Sequence, residues 1–261
     1  EAGLAAALLS ITKRDGSCRA PLQRDVLQLL ANCQGALSAR DLCAMAPGCE
    51  NALPALLKKG WVHQNDAQVR RVPYAALPEE SVRPQPTAAQ QQVINAVNAG
   101  GAFLLHGVTG SGKTEVYMRC AEHAAQAGKS AIVLVPEISL TPQTVERFRG
   151  RFGARVAVLH SRLSSGERFD EWKRIRMGEV SVVVGARSAV FAPLENLGLI
   201  VIDEEHESSY ASEHTPRYDA YTVAQKRREL TGATLLLGSA TPSIESYSRA
   251  QNGELTLLTL R

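Results

Sequence analysis

The sequence has few aromatic residues, little net charge and no long apolar segment. Aromatic residues make up 5% of the chain, and the formal net charge is +3. A strongly basic surface is therefore excluded, and any contact with nucleic acid would depend on local patches. The apolar runs fall well short of the roughly 20 residues that span a bilayer, so no membrane partner is expected. The chain begins with Glu1 rather than Met, and we expect it to be part of a longer protein.

The five cysteines form no Cys-x-x-Cys pair. Zinc knuckles and thioredoxin-like redox sites depend on such pairs, so the sequence predicts neither. The cysteines are expected to be ordinary reduced thiols, as in a cytosolic protein. Hydrophobic residues make up 44% of the chain and charged residues 21%, which is typical of a soluble globular protein.

Residues 1–72 predict three short helices followed by a hairpin. Segments 61–64 and 69–72 have the pattern of two short strands around a turn. Ser38 is placed to cap the second helix. This order predicts a small winged helix-turn-helix domain, which could bind DNA through its third helix or serve for packing and protein contact. The predicted helices cover residues 21–31, 39–45 and 51–59.

Residues 73–86 contain four prolines, which favours an extended, semi-rigid linker. In residues 87–261, short apolar runs alternate with amphipathic helical stretches. Near-continuous apolar strands are typical of a parallel sheet that is buried on both faces. Helices between such strands predict an α/β fold for this second domain. The predicted strands are 102–105, 131–135, 156–159, 180–184, 199–202 and 234–237.

The segment Gly107-Val-Thr-Gly-Ser-Gly-Lys-Thr114 matches the phosphate-binding pattern G-x-x-x-x-G-K-[ST] and lies between a predicted strand and a predicted helix. Glycines let backbone N–H groups turn towards an anion, and the helix N-terminus adds a positive dipole. Lys113 would reach the β- and γ-phosphates, and the Thr114 hydroxyl would bind Mg²⁺. The sequence therefore predicts ATP and Mg²⁺ as cofactors. The predicted phosphate-binding residues are Gly107, Gly110, Ser111, Gly112, Lys113 and Thr114.

The segment Asp203-Glu204-Glu205-His206 directly follows the apolar run 199–202. An acid at the C-terminal end of a strand points into the crevice where α/β sheets bind ligands. Asp203 would hold Mg²⁺, while Glu204 would orient and polarise the attacking water. Together with Lys113, these two acids are the predicted catalytic residues.

Further motifs narrow the class of ATPase. Ser239-Ala240-Thr241 follows the run 234–237, and no Asn-Lys-x-Asp signature of GTPases occurs. With the two motifs above, this order resembles that of superfamily 2 helicases. Segments 107–117, 135–143 and 238–246 are similar to those of the primosomal replication-restart DNA helicases (PriA family), as is Asp203-Glu-Glu-His-Glu-Ser-Ser-Tyr210.

This resemblance implies a RecA-like, P-loop motor lobe of an ATP-dependent DNA helicase or translocase that acts at stalled forks. Forked and single-stranded DNA, restart proteins and single-strand-binding proteins are the implied partners, in the bacterial cytoplasm. The second lobe, the arginine finger and the zinc-binding cysteines of the family lie further along its chains. We therefore expect these 261 residues to bind ATP weakly and hydrolyse it slowly.

The resemblance also assigns roles to individual residues. Gln90, or its neighbour Gln91, would contact adenine. A relay between the acidic motif and the DNA side would consist of His206, Ser239 and Thr241. The implied DNA-binding residues are Pro136, Thr141, Gln143, Arg187, Tyr210, Arg217 and Tyr218. The tyrosines would stack on bases.

Some positions depart from the family pattern. Ala186 stands where the family usually has Thr, and Ala211-Ser212 where it has Lys-Gln; residues 219–222 also differ. Because basic side chains are missing from the implied DNA-sensing loop, an alternative is a fork-binding scaffold that recruits restart partners with little unwinding. A superfamily 2 motor acting on RNA is a further alternative. The basic residues at 168, 173, 174 and 176 predict a solvated helix face.

Overall fold

The computed structural model describes residues 10–11, 18–32, 37, 39–64, 83–213 and 215–260. The chain divides into two compact units, Glu1–Arg70 and Arg71–Arg261. None of the described helices is both long enough and apolar enough to span a bilayer.

The first unit contains helices α1 (Pro21–Asn32), α2 (Ala39–Met45) and α3 (Cys49–Lys58). Their apolar faces meet in a small core that includes Val26 and Leu56. Two backbone amides cap the C-terminal end of helix α3. Gly60 N–H donates to the Leu57 carbonyl, and Trp61 N–H donates to the Leu56 carbonyl. This pairing satisfies carbonyls that the helix end would otherwise leave free.

The first strand predicted for the wing, residues 61–64, is wrong, because this segment has no strand pairing. Its first amide caps helix α3, and the Trp61 side chain packs against the helical core. The predicted cap Ser38, the turn and the second strand at 69–72 lie outside the described residues. The winged-helix domain therefore stays a prediction.

The second unit is a seven-stranded sheet in the order β3-β4-β2-β5-β6-β1-β7. Every paired strand is parallel to its neighbour, which confirms the predicted parallel α/β class. The strands are β1 (Ala102–Gly107), β2 (Ser130–Leu134), β3 (Val156–Leu159), β4 (Val182–Gly185), β5 (Leu197–Asp203), β6 (Thr234–Ser239) and β7 (Thr256–Leu260). The helices are α4 (Ala88–Asn98), α5 (Lys113–Gln126), α6 (Pro142–Phe152), α7 (Ser165–Arg176), α8 (Ala220–Thr231) and α9 (Ile244–Gln251).

The sheet is buried on both faces because its central strands are apolar at nearly every position between their ends. In β2, Ala131 and Val133 pack into one core layer, while Ile132 and Leu134 pack into the other. Strand β7 was not predicted. It pairs with β1 at the sheet edge, and most of its side chains are exposed. Its sequence, Thr-Leu-Leu-Thr-Leu, has no apolar run longer than two residues, so it lacks the longer runs that identified the other six.

The strand order determines which loops meet. Strands β5, β6 and β1 are neighbours, and their register pairs Asp203 with Gly238 and His106 with Ser239. Because parallel strands end at the same edge of a sheet, the loops after them lie side by side. We call the loops after β1 and β6, together with residues 204–207, the Lys113 half of this edge. The Arg187 half comprises the loops after β2, β3 and β4 together with residues 208–213 and 215–219.

Candidate active site

A cavity of about 530 Å³ opens in the Lys113 half of the sheet edge. It brings together residues that lie about ninety positions apart in sequence, as the two motifs predicted. The predicted site residues that line it are Gly110, Gly112, Lys113, Thr114, Asp203 and Glu204. The cavity is therefore the candidate active site.

The loop that leads into α5 leaves no room for side chains at two of its glycines. Gly112 caps α5 with a φ of 85°, and a Cβ there would collide with Gln90 Nε2. A Cβ on Gly107 would lie 2.8 Å from Ser111 Oγ. Gln90 itself supports the loop, because its Nε2 donates to the Ser111 carbonyl at 3.1 Å. The contact of Gln90 with adenine stays a prediction.

The side chain of Lys113 is only 8% exposed and lies over this loop. Its Nζ donates to the Gly107 carbonyl at 2.8 Å and lies 3.7 Å from Glu204 Oε1. The buried Ser111 hydroxyl has no hydrogen-bond partner among the described residues. A glycine cradle, a poised ammonium group and an unsatisfied hydroxyl are the features that a polyphosphate would satisfy.

The two predicted acids occupy different environments. Asp203 ends β5, and its Oδ1 accepts a hydrogen bond of 2.9 Å from the Tyr117 hydroxyl. Burial raises the pKa of Asp203, against the opposing effects of Tyr117 and Lys113. Glu204 has a φ of 44°, an uncommon conformation for a residue other than glycine. Such backbone strain is concentrated at functional sites.

The three residues predicted to couple ATP hydrolysis to DNA form a continuous chain of contacts. Glu204 Oε2 lies 3.8 Å from His206 Nδ1. That nitrogen shares a hydrogen bond of 2.8 Å with the Ser239 hydroxyl, which also accepts the Thr241 N–H at 3.0 Å. The acidic motif and the Ser-Ala-Thr motif are thus physically linked, while their coupling role stays a prediction.

Three positions that sequence reasoning missed hold these motifs together. Tyr117 orients Asp203 and lies one turn after Lys113, a spacing that could have identified it. Gly238 is required next to it, because a Cβ would collide with the Tyr117 hydroxyl. The Glu205 carboxylate accepts hydrogen bonds from the amide and hydroxyl of Ser243 and from the hydroxyl of Ser246, at 2.7 to 3.0 Å. No sequence signal identified Glu205.

The wall of the cavity also contains an acid whose charge is neutralised by its neighbours. Glu115, next to Thr114, lies 2.7 Å from the guanidinium of Arg151, whose side chain is 1% exposed. The same guanidinium lies 2.8 Å from Glu122, and Glu115 also pairs with Arg119. Because its charge is shared with two arginines, Glu115 would repel a polyphosphate less than a free acid.

The Arg187 half of the edge differs from the Lys113 half, because its residues mainly bind one another. Arg187 donates to the carbonyls of Ser209 and Ala211. Its guanidinium also lies 5.5 Å from the centre of the Tyr218 ring, which packs edge-on against Phe191 at 4.9 Å. Phosphate binding by Arg187 would require it to exchange some of these partners.

Two of the predicted DNA contacts are corrected by burial. Tyr210 is 4% exposed, and its hydroxyl donates to the Asp203 carbonyl at 2.6 Å. Its ring packs in the core and cannot stack on a base in this conformation. Pro136 is also buried and begins a short helical turn, so its ring is not a contact surface.

Of the other predicted DNA contacts, Thr141, Gln143 and Arg217 are exposed, whereas Arg187 and Tyr218 are half-buried. Thr141 caps α6 by accepting the Thr144 N–H. A second cavity, of about 400 Å³, includes Arg187 and several serines in its wall. These residues are accessible, and their contact with DNA stays a prediction.

A polar cluster in the first unit resembles a metal site only in part. Ligand atoms of Cys43, Cys49 and Glu50 lie within 4.8 Å of one another. The hydrogen bond with Cys49 raises the pKa of Cys43 to about 11, which keeps its thiol protonated at neutral pH. Structural zinc sites use four ligands, and the described residues bring only three together here, so we assign no metal to this cluster.

Residues 87–250 match the model of the DEAD/DEAH box helicase family. The chain belongs to this family. A DEAD/DEAH box helicase domain is consistent with the glycine-lined cavity and with the acidic motif at the end of β5. It also agrees with the resemblance to superfamily 2 helicases in the sequence.

Curated relatives of this helicase chain confirm the resemblance to the PriA family. The chain is 50% identical over 232 residues to the replication restart protein PriA of Bacillus subtilis (strain 168), covering 86% of this chain and 29% of that protein. It is 46% identical over 230 residues to PriA of Synechocystis sp., covering 87% and 28%. The chain thus spans less than a third of the length of these relatives.

Two solved structures are similar to the helicase lobe. RecG bound to a three-way DNA junction is 25% identical, with a TM-score of 0.50, over 69% of this chain and 24% of that one. The Hef helicase domain of Pyrococcus furiosus is 23% identical, with a TM-score of 0.51, over 67% and 38%. The second comparison supports the fold alone.

Proposed function

We propose that this chain is the ATP-binding lobe of a DNA helicase or translocase that acts in replication restart. One observation supports this most strongly: Lys113, Thr114, Asp203 and Glu204 line a single cavity. The identity to replication restart proteins PriA supports the biological context. The substrates of the whole protein would be forked and single-stranded DNA.

The residues of the cavity fit Mg-ATP. Lys113 would exchange the Gly107 carbonyl for phosphate oxygens, and Ser111 would donate its unsatisfied hydroxyl. The Thr114 hydroxyl and the Asp203 carboxylate are hard oxygen ligands of the kind that Mg²⁺ prefers. Mg²⁺, when bound, would neutralise charge on the phosphates.

Glu204 would act as the base for the attacking water. The Lys113 ammonium and the His206 ring lie 3.7 and 3.8 Å from its two oxygens, and they orient the carboxylate. His206 would pass a change at Glu204 to the hydroxyl of Ser239 and from there to Thr241. We propose that this chain of contacts couples ATP hydrolysis to DNA binding.

The DNA would follow the Arg187 half of the sheet edge. Exposed Thr141, Gln143 and Arg217 and the serine-lined cavity support this path. RecG, a structural relative, is bound to a three-way DNA junction. The winged-helix domain, a second motor lobe, restart partners and single-strand-binding proteins belong to the same proposal.

The test is ATP hydrolysis by the longest natural form of the protein, in Mg²⁺, with and without single-stranded or forked DNA. We expect strong stimulation by DNA, and a Glu204→Gln variant should lower the stimulated hydrolysis by about 10²- to 10⁴-fold. ATP binding without stimulated hydrolysis would require the helicase proposal to be withdrawn.

A fork-binding scaffold is the second candidate. Two observations favour it: Tyr210 is buried, and Arg187 is held by backbone carbonyls. Replication restart by the longest natural form should then be unaffected by Lys113→Ala. A motor would lose restart and unwinding together.

A further inference from the structure

Helix α7 presents apolar side chains to solvent on the side that faces away from the sheet. Phe169 is 62% exposed and Trp172 is 37% exposed, and Met177, just after the helix, is 57% exposed. The spacing of these residues places them along one side of the helix. The inner side contains Glu171 and Ile175, which are buried. The helix thus has an apolar surface that its own fold does not use.

Basic side chains lie beside and between these apolar residues. Arg168, Lys173 and Arg176 share with it a shallow cavity of about 790 Å³, whose lining contains no acidic side chain. Arg174, in contrast, points inward and pairs with the Glu171 carboxylate at 2.7 Å. The outer face of α7 is therefore both apolar and positively charged.

The direction of α7 separates most of this face from the proposed DNA path. The helix connects β3 to its parallel neighbour β4, so it runs from the strand-end edge back towards the opposite edge. Arg168, near its start, also lines the serine-rich cavity of the Arg187 half. Met177 lies about 18 Å from the start of the helix, at 1.5 Å per residue. A nucleic acid that follows the strand ends would leave Trp172 and Met177 uncovered.

We propose that the outer face of α7 is a docking site for an acidic, amphipathic helical segment of a partner protein. The apolar side of that segment would cover Phe169, Trp172 and Met177. Its carboxylates would lie against Arg168, Lys173 and Arg176, which would set its orientation and exclude basic partners. Packing of two helices along such a stripe is the usual way to bury it. The proposal does not depend on ATP hydrolysis.

Trp172 provides a direct signal for the test. The chain has two tryptophans, so Trp61→Phe leaves Trp172 as the only one. The probe is a synthetic peptide of about four helical turns, with leucines at helical spacing and glutamates elsewhere. We expect a saturable blue shift of the emission that weakens with salt. Neither a scrambled peptide of the same composition nor a lysine analogue should produce the shift.

Variants then locate the contact. In the Trp61→Phe background, Phe169→Ser with Met177→Ser should weaken peptide binding by about 10-fold or more, the effect of removing central contacts. Leu230→Ser is the matched control, because Leu230 is 76% exposed on another helix, α8. Unfolding curves of all variants establish that they are folded.

Three results would overturn the proposal. The scrambled peptide could shift the emission equally, or the double variant could bind as tightly as its parent. Alternatively, oligothymidylate of similar length could shift Trp172 while the acidic peptide does not, which would assign the face to nucleic acid instead.

Discussion

The two halves of the strand-end edge were predicted on different grounds, the Lys113 half from two motifs and the Arg187 half from the family resemblance, and they also differ in how they are built. In the Lys113 half, predicted side chains converge on one cavity, and the Ser111 hydroxyl has no hydrogen-bond partner among the residues that the structure describes. In the Arg187 half, Arg187 binds backbone carbonyls and Tyr210 is buried. The first half is prepared for a ligand, whereas the second must exchange internal contacts before it binds one.

The largest effect is expected in the Lys113 half. Glu204→Gln should lower DNA-stimulated ATP hydrolysis by about 10²- to 10⁴-fold, the usual contribution of a general base. ATP binding should be retained, because glutamine keeps the size of the side chain and one acceptor oxygen while it removes the negative charge. Glu207→Gln, three positions beyond the acidic pair Asp203 and Glu204, is the matched control and should keep full activity. Equal losses in the two variants would show that Glu204 has no special role.

Lys113→Ala should have the next largest effect. It removes a charged donor to phosphate, which contributes about 1.5–3 kcal/mol, so affinity for ATP should fall by roughly 10- to 150-fold. Isothermal titration calorimetry with Mg²⁺ and a non-hydrolysable ATP analogue measures this change in affinity. Lys129→Ala, on the exposed loop before β2, should bind as the parent does. Unchanged affinity in Lys113→Ala would mean that the nucleotide binds elsewhere.

Gly238→Ala should disrupt the packing between the Ser-Ala-Thr motif, which follows Gly238, and Tyr117, which orients Asp203 of the acidic motif. Its Cβ would collide with the Tyr117 hydroxyl, and such overpacking typically costs about 1–3 kcal/mol in the free energy of unfolding. Tyr117→Phe removes that hydroxyl, so the double variant should recover part of the loss. Denaturant unfolding of the parent, the two single variants and the double variant gives the free energies of unfolding for a double-mutant cycle. Strictly additive losses would refute the contact.

The smallest effect is expected in the Arg187 half. If Arg187 leaves its carbonyls for a phosphate, Arg187→Ala should weaken DNA binding for all sequences and lower the slope of log affinity against log salt by about 1. Arg174→Ala is the control, because Arg174 pairs internally with Glu171. A weaker affinity with an unchanged slope would mean that Arg187 only orders the loop.

The same contrast explains what the sequence could predict. Six strands were recognised because they are apolar on both faces, whereas β7 was missed because its sequence has no apolar run longer than two residues. The phosphate loop was predicted residue by residue, because backbone geometry imposes its glycines and a helix start. A side chain such as Tyr210 has no such constraint in the sequence. Whether it stacks on a base or packs inside depends on tertiary neighbours.

Contacts across the sheet edge could also not be predicted from the sequence. Glu205 appears there as one more acid of a motif, yet it binds Ser243 and Ser246, which lie about forty positions away. Arg151 and its partners Glu115 and Glu122 have no motif at all. Pairings of this kind depend on strand order, which single-sequence patterns do not specify.

The most direct test of the central claim is a titration of these 261 residues with a non-hydrolysable ATP analogue, with and without Mg²⁺. If Thr114 and Asp203 hold the ion beside the phosphates, Mg²⁺ should tighten binding by about 10-fold or more, since a charged ligand contributes at least 1.5 kcal/mol. The gain should disappear in Asp203→Asn. Equal affinity with and without Mg²⁺, or a full gain in Asp203→Asn, would contradict the proposed Mg-ATP site.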